Sequence, residues 1–228
     1  MISVVIPACN AVTSLPDMLE ALVPAAIAGL ITEVIVADGG SIDGTQIIAD
    51  GMGAKLVTSE RSRGAQLAAG ARASKGDWLM FLNADAVLEP GWQDEALSFI
   101  KRATRSGSRV AAAFRFALDD PSPAARRAEF WVRLRSRFLR LPYGDQGLLI
   151  NRRFYDELGG FQAMPVMEDV DLARRIGAKR IALLKTAALS SSVNLRARGS
   201  MLSPLRNLAA LALYYCRVPP RVLARICS

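Results

Sequence analysis

The 228-residue sequence contains no histidine and only three cysteines, Cys9, Cys216 and Cys227. Without histidine, the chain can form no Ser-His-Asp or Cys-His hydrolytic site, no His-ligated zinc site and no imidazole acid–base catalyst. Any acid–base catalysis must therefore use Asp, Glu, Lys, Tyr or Cys. Three cysteines without a paired motif indicate reduced thiols. The chain also lacks a signal-like start and an apolar run long enough to span a bilayer, which together predict a cytoplasmic protein.

The net charge of +8 is unevenly distributed along the chain. Residues 1–100 contain five basic and twelve acidic residues, whereas residues 101–228 contain 24 basic and nine acidic ones. The second half is therefore expected to meet an anionic partner. The basic segment 126–140 suits a helix on an anionic membrane surface, or a helix packed by its apolar stripe with solvated arginines. Binding to nucleic acid is disfavoured, because the aromatic residues of this segment occupy helix-packing positions.

Strands and helices alternate through the first hundred residues, which predicts a parallel sheet in an α/β domain. Strands are expected at 4–6, 33–37, 55–57 and 78–82, with a helix at 14–30 and another that Ser41 caps. The carboxyl ends of parallel strands face the ligand crevice. The loops that carry residues 7–10, 38–41 and 83–85 should therefore lie together at one edge. Asp85 would then face a cleft and a hard cation, or else cap the next helix. No Gly-x-Gly-x-x-Gly follows the first strand, which weakens a dinucleotide-binding interpretation.

Later segments continue the α/β pattern. Strands are expected at 110–116 and 146–150, and a helix is expected at 168–176. This helix begins with acidic residues, where the helix dipole favours negative charge. Two amphipathic helices, at 204–218 and 219–226, are expected to close the chain.

Seven motifs together resemble the family 2 glycosyltransferases, and in particular the short bacterial branch of selenodomain-associated transferases. The resemblance implies a GT-A fold with a Rossmann-like, mostly parallel central sheet and C-terminal amphipathic helices. It implies a GT-A domain at 1–200, with a nucleotide-binding half at 1–100 and an acceptor half at 101–200, and a helical extension at 201–228. The motifs occupy residues 4–10, 33–45, 61–66, 83–85, 143–147, 158–161 and 167–175.

The resemblance further implies inverting transfer of a sugar from a nucleotide diphosphate sugar, with a UDP-sugar favoured, to a hydroxyl acceptor. A lipid-linked acceptor at the inner membrane face is one option. In this interpretation Asp85 coordinates Mg²⁺ or Mn²⁺, Asp169 is the base, and Glu168 orients Asp169. Asp145 and Gln146 would line the acceptor side. The donor-binding residues would be Pro7, Ala8, Asn10, Asp38, Ser41, Arg61, Gly64, Gln66, Asn83 and Ala84.

The sequence departs from the family pattern at three places. Asn83 replaces a stronger metal ligand, Ala68 replaces an asparagine, and residues 193–195 lack the expected arginines. These departures leave an alternative function, a catalytically reduced sugar-nucleotide-binding protein that acts through its basic C-terminal half.

Individual site residues also have structural alternatives. Asp38 could only cap a helix, and Asp169 could be only a first-turn acid. Asp145 and Gln146 could simply fix a turn. Arg61 and Arg63 could be solvated loop charges instead of donor contacts.

Overall fold

The structure, a computed structural model, describes residues 1–123, 125–127, 129–130, 132, 144–191, 213–214, 218, 220 and 222–223. The predicted basic helix at 126–140 lies mostly outside these residues, as do residues 193–195 and most of the two closing helices. The strands are β1 Ile2–Ala8, β2 Ile31–Asp38, β3 Lys55–Thr58, β4 Trp78–Phe81, β5 Ala86–Leu88, β6 Ala111–Leu118, β7 Leu148–Asn151 and β8 Ile181–Ser190. The helices are α1 Leu15–Glu20, α2 Val23–Ile27, α3 Thr45–Gly51, α4 Arg63–Ala73, α5 Trp92–Ser106, α6 Arg152–Glu157 and α7 Glu168–Ile176.

The eight strands form one sheet in the order β3-β2-β1-β4-β7-β6-β8-β5. The strands β3, β2, β1 and β4 are parallel, as the alternation of strands and helices predicted. The remaining half is mixed, because β7 runs antiparallel to both β4 and β6, while β6 and β8 are parallel. The sheet is therefore parallel where the first hundred residues build it and mixed beyond β4.

Helices cover both faces of the sheet, and each face has its own apolar core. Alternate residues of β1 point to opposite faces: Ile2, Val4 and Ile6 join the core beneath α1 and α5, whereas Val5 joins the core beneath α4, α6 and α7. Every residue of β1 is buried, as expected for a strand with helices on both sides.

Two local predictions for the first fifty residues were wrong. The helix expected at 14–30 is two short helices, because Pro24 has no backbone N–H to continue α1 and instead occupies the first turn of α2. Ser41 does not cap the next helix. That helix begins at Thr45, after Gly44 in the left-handed conformation.

Strand β8 and the short helix α6 were not predicted. Among the helices of the described residues, none has the length and apolarity required to cross a bilayer.

The parallel register brings the predicted motif loops to one edge of the sheet. Ala8 at the end of β1 is the register partner of Asp38 at the end of β2. Leu82, just after β4, donates its backbone N–H to the carbonyl oxygen of Val5. The loops that follow β1, β2 and β4 therefore emerge side by side, and this edge carries the candidate site.

Candidate active site

Asp38 is completely buried and organises the loop after β2. Its carboxylate accepts hydrogen bonds from Gly40 N at 3.1 Å, Ser41 N at 3.0 Å, Gln46 Nε2 at 2.7 Å and the Ser41 hydroxyl. Burial would raise the pKa of Asp38, but the hydrogen bonds from Ser41, Gln46 and Gly40 outweigh burial and hold that pKa below its ordinary value. Asp38 is thus an anion that fixes the loop.

Asn10 joins the loop after β1 to the loop after β2. The Ser41 hydroxyl oxygen accepts a hydrogen bond from Asn10 N at 2.8 Å, and Asn10 Oδ1 accepts one from Ile42 N at 3.0 Å. Asn10 is left-handed, with φ of 53°, a conformation that asparagine tolerates better than most residues. This reciprocal pair of bonds makes the two loops one rigid surface.

Gln66 on α4 supports this surface, because its side chain bonds to the backbone at the end of β1. Its side-chain amide donates to the carbonyl oxygen of Ala8 at 2.7 Å, and Gly39 N donates to the same oxygen at 2.9 Å. A Cβ on Gly39 would lie 2.3 Å from the Gln66 amide nitrogen, so a side chain there would displace Gln66 from this bond. The described role of Gln66 is therefore to position backbone.

The loop after β4 presents Asn83, Ala84 and Asp85, each less than a tenth exposed. Asn83 Oδ1 accepts a hydrogen bond from Arg63 Nη2 at 2.8 Å, and Asn83 Nδ2 donates to Asp145 Oδ1 at 2.9 Å. Because its oxygen already faces a cation, Asn83 is poorly suited to ligate a metal. The metal-binding assignment of Asp85 stays a prediction.

Asp145, Glu168 and Asp169 form the acidic side of the site. Arg63, in the first turn of α4, lies among them. Its Nη1 forms an ion pair with Glu168, and its Nη2 donates to Asn83. Burial would lower the pKa of Arg63, but Glu168, Asp169 and Asp145 outweigh burial and raise it. Arg63 is therefore a permanent cation that offsets part of the negative charge of three nearby carboxylates.

Glu168 and Asp169 open α7 in different environments. Glu168 is 4% exposed, and burial raises its pKa, although Arg63 opposes that change; nearby Asp169 adds to it. Asp169 is half-buried. The preceding Met167 has φ of 67°, a conformation that a non-glycine side chain rarely adopts, and it sets the direction in which α7 begins. The orienting role of Glu168 and the base role of Asp169 stay predictions.

Asp169 and Arg63 also line a small cavity, whose other walls include Leu67, Phe81 and Phe161. The cavity volume of about 30 Å³ provides room for about one water molecule.

The backbone before α7 is fixed against the N-terminus of α4. Ser62 Oγ donates to the carbonyl oxygen of Met164 at 2.9 Å. A Cβ on Gly64 would lie 2.2 Å from the carbonyl oxygen of Gln162, so α4 and the 162–164 segment can approach this closely only at a glycine. Gly64 thus helps to place the start of α7.

The turn at Gly144–Gln146 joins the acidic side to the centre of the sheet. Gln146 is 3% exposed, and its side-chain amide donates to the carbonyl oxygen of Phe114 at 3.0 Å. Asp145 accepts the hydrogen bond from Asn83. Gln146 therefore fixes the turn, and its acceptor-binding assignment stays a prediction, as does that of Asp145.

The predicted site residues fall into two connected groups. Asn10, Asp38 and Ser41 form one group with Ala8 and Gln66, and Asn83, Asp145 and Glu168 form another through Arg63. Pro7 is buried in β1, Arg61 is exposed, and their donor-binding assignments stay predictions. The sequence offered Arg63 only as a donor contact or a solvated loop charge, and its ion pair with Glu168 was not predicted.

Comparison with protein families gives a match over most of the chain. The model of glycosyl transferase family 2 matches residues 3–164. Glucosyl-3-phosphoglycerate synthase of Mycobacterium tuberculosis H37Rv is 33% identical over 95 residues, and that of Mycolicibacterium smegmatis is 34% identical over 95 residues. These matches cover 38% of this chain, but only 29% and 31% of the respective relatives.

Solved structures resemble the chain over nearly its whole length. A crystal structure of the M. tuberculosis synthase with Mn²⁺, UDP and glucosyl-3-phosphoglycerate has a TM-score of 0.62 and 21% identity, with coverage of 96% of this chain and 81% of that one. The same synthase has also been solved with Mg²⁺ and UDP, with a TM-score of 0.61 and 22% identity, at 96% and 80% coverage. This similarity confirms the GT-A fold.

Proposed function

Because the chain belongs to glycosyl transferase family 2, we propose that it transfers a sugar from a UDP-sugar to a hydroxyl acceptor with a divalent cation. The observation that carries this proposal is the location of both motif groups at one edge of the sheet. Buried Asp38 anchors one group, and Arg63 joins Asn83 to Glu168 in the other. The synthase structures with UDP and Mn²⁺ or Mg²⁺ support the choice of donor and metal.

The donor residues act by binding and orientation. The rigid surface of Asn10, Asp38 and Ser41 would receive the nucleoside, because its loops are already fixed before the ligand arrives. Preorganisation of this kind lowers the entropy cost of binding. The donor diphosphate would then lie towards the loop after β4.

The residues at the proposed metal position fit Mg²⁺ or Mn²⁺. Within the described part of the chain, no three acidic, histidine or cysteine side chains are grouped to hold an ion by themselves. Asp85 supplies one hard carboxylate, and Mg²⁺ commonly uses one or two carboxylates together with substrate phosphates. Asp85 would hold the ion, which would neutralise charge on the leaving diphosphate.

Asp169 would accept the proton of the attacking hydroxyl, since a carboxylate is the available general base at this position. The attack would come from the face of the sugar opposite the diphosphate, which inverts the anomeric centre. Glu168, held by Arg63, would fix the first turn of α7 and so orient Asp169. A hydroxyl acceptor must therefore approach from the α7 side.

A thermal-stability screen tests the donor and metal assignments together. Nucleoside diphosphates and their sugars are added with and without Mn²⁺, because a ligand that binds the native state raises the midpoint. We expect the largest rise with UDP-sugars plus Mn²⁺, and we expect Asp85→Ala to lose the Mn²⁺-dependent part. Asp77→Ala is the matched control. Asp77 lies just before β4, the strand that the Asp85 loop follows, and its side chain is 80% exposed. An unchanged Mn²⁺ effect in Asp85→Ala would refute the metal assignment.

We also propose that the basic segment carries the protein to an anionic membrane. The support is the charge of residues 101–228 and the position of Phe130, which is 56% exposed on the same segment as Arg126 and Arg127. Each basic residue near such a surface contributes about 1 kcal/mol, and salt weakens this contribution. Sedimentation with anionic vesicles at low salt should pellet the protein, and neutral vesicles should not. Failure to pellet with anionic vesicles would favour a soluble small-molecule acceptor.

A further inference from the structure

Arg63 bonds to two parts of the site that serve different steps of sugar transfer. Its Nη1 pairs with Glu168, which precedes the proposed base Asp169. Its Nη2 donates at 2.8 Å to Asn83, which lies two residues before the proposed metal ligand Asp85. One guanidinium therefore connects the loop after β4 with the first turn of α7, whose Glu168 lies 105 residues after Arg63 in the sequence.

We propose that Arg63 is a positioning residue that couples donor binding at the loop after β4 to the placement of Glu168 and Asp169. This inference rests on the proposed function, because it assumes that UDP and a metal bind beside Asn83. When the donor binds beside that loop, Arg63 transmits the added restraint to α7. Donor binding then restricts Glu168 and Asp169 further.

The geometry of the guanidinium explains why arginine is needed. Its planar fork can direct separate N–H groups at Glu168 and Asn83 at once, whereas lysine offers a compact charge on a flexible stem. Arg63 also separates negative charges, because Glu168, Asp169 and Asp145 all lie near enough to raise its pKa. Without the fork, α7 would lose its link to the donor loop even if a positive charge remained.

The backbone around α7 makes such coupling effective. The 162–164 segment packs on Gly64, one residue after Arg63, and Ser62 bonds to the carbonyl oxygen of Met164. The start of α7 is thus attached to the same turn of α4 that carries the guanidinium. A displacement of the Asn83 side chain can therefore reach Glu168 through Arg63 without movement of the whole of α7.

Hydrogen exchange measured by mass spectrometry tests the coupling without relying on turnover. In the wild type, UDP with MnCl₂ should slow exchange in the peptide 31–48, which contains Asp38, and in the peptide 162–176, which contains α7. In Arg63→Lys, the first peptide should stay protected and the second should lose its protection. Arg153→Lys is the matched control, because that side chain is 86% exposed, and it should retain both effects.

Turnover provides a second readout of positioning. With a UDP-sugar and an accepting hydroxyl, Arg63→Lys should lower kcat by roughly tenfold to a hundredfold while the donor KM changes little, since misplacement of a catalytic group affects the chemical step. An equal rise in donor KM would place Arg63 in the donor site and overturn the inference.

A second variant protects the test against misfolding of Arg63→Lys. Glu168→Gln breaks the same link from the other side and keeps the shape of the side chain. It should also lose protection of 162–176 while 31–48 stays protected. Protection of both peptides in both variants would refute coupling through Arg63, and so would loss of both. Absence of any protection in the wild type would instead refute the proposed function.

Discussion

The two sides of the candidate site are held together in different ways. On the donor side, formed by residues 7–11 and 38–46, the partners of Asp38 all lie within eight residues of it. On the base side, formed by Arg63, Asn83, Asp145, Glu168 and Asp169, the Arg63–Glu168 pair spans 105 residues and the Asn83–Asp145 pair spans 62. The carboxylate of Asp38 is thus held by neighbours in sequence, although Asn10 joins its loop to the loop after β1 across 31 residues. The described hydrogen bonds that join residues of the base side to one another all span longer separations than the eight residues around Asp38.

The carboxylates of the two sides also differ in charge balance. Hydrogen bonds outweigh burial at Asp38 and lower its pKa, whereas burial and Asp169 raise the pKa of Glu168 against the effect of Arg63. On the donor side, neutral hydrogen-bond donors close to Asp38 in sequence therefore keep its carboxylate ionised. The base side depends on one arginine, and we expect changes there to affect chemistry more than donor affinity.

The largest expected effect is that of Asp169→Asn on turnover. This change keeps the shape of the side chain and removes the proton acceptor, so kcat should fall roughly a hundredfold or more. Donor affinity should stay close to that of the wild type, because Asp169 belongs to the base side. Steady-state kinetics and UDP titration measure the two quantities. An equal loss of donor affinity would place Asp169 in the donor site or in the fold and remove it as the base.

Asp38→Ala should have the opposite profile. The change leaves Gly40 N, Ser41 N and the Gln46 amide without their acceptor, so UDP affinity should fall at least about tenfold. The free energy of unfolding should fall by about 2–4 kcal/mol, which urea denaturation measures. Asp50→Ala, at an exposed position of α3, is the control. Normal UDP affinity in Asp38→Ala would remove Asp38 from the donor side.

Gly64→Ala tests how the base side is packed. The added Cβ would lie 2.2 Å from the carbonyl oxygen of Gln162, and overpacking of this kind costs about 1–3 kcal/mol. Gly51→Ala is the matched control, since a Cβ there would meet nothing within 4 Å. Urea denaturation should separate the two variants. Equal stabilities would mean that the 162–164 segment is not held against α4.

The smallest expected effect concerns the pH dependence of stability. The lowered pKa of Asp38 provides stability above the unfolded value of 3.8, and this stability is lost as the pH falls through the folded pKa. The raised pKa of Glu168 acts in the opposite sense. Its contribution is present below the unfolded value of 4.5 and is lost as the pH rises through the folded pKa.

Glu168→Gln should therefore lose less stability than the wild type as the pH rises above the unfolded value of 4.5, because the variant has no carboxyl to ionise at this position. Denaturation midpoints across this range measure the slope. Glu20→Gln, at an exposed position, should keep the slope of the wild type. The same slope in Glu168→Gln would contradict the raised pKa.

The contrast between the two sides also explains which features the sequence could predict. The parallel strands, the shared edge and the donor loops follow from apolar runs that end in Asp38 and Asp85, and such signals lie within a few residues. The helix at 168–176 was predicted with its observed bounds, because its acidic start and its apolar spacing are local.

Features that depend on distant contacts were not predicted. Pairing of β7 between β4 and β6 makes half of the sheet mixed, and no local pattern fixes that order. Likewise, nothing near Arg63 indicates that its partners are Glu168 and Asn83. Ser41 was assigned to a helix cap, whereas its hydroxyl bonds to Asp38 and also accepts from Asn10, which lies 31 residues away in the loop after β1.

Calorimetric titration of UDP, with and without Mn²⁺, is the most direct test of the central claim that Asp85 binds a metal that holds the donor. In the wild type, Mn²⁺ should tighten UDP binding by at least about tenfold, which corresponds to about 1.4 kcal/mol. In Asp85→Ala, the metal should make no difference, while weak metal-free binding to the Asp38 side persists. The same Mn²⁺-dependent gain in Asp85→Ala as in the wild type would contradict the account.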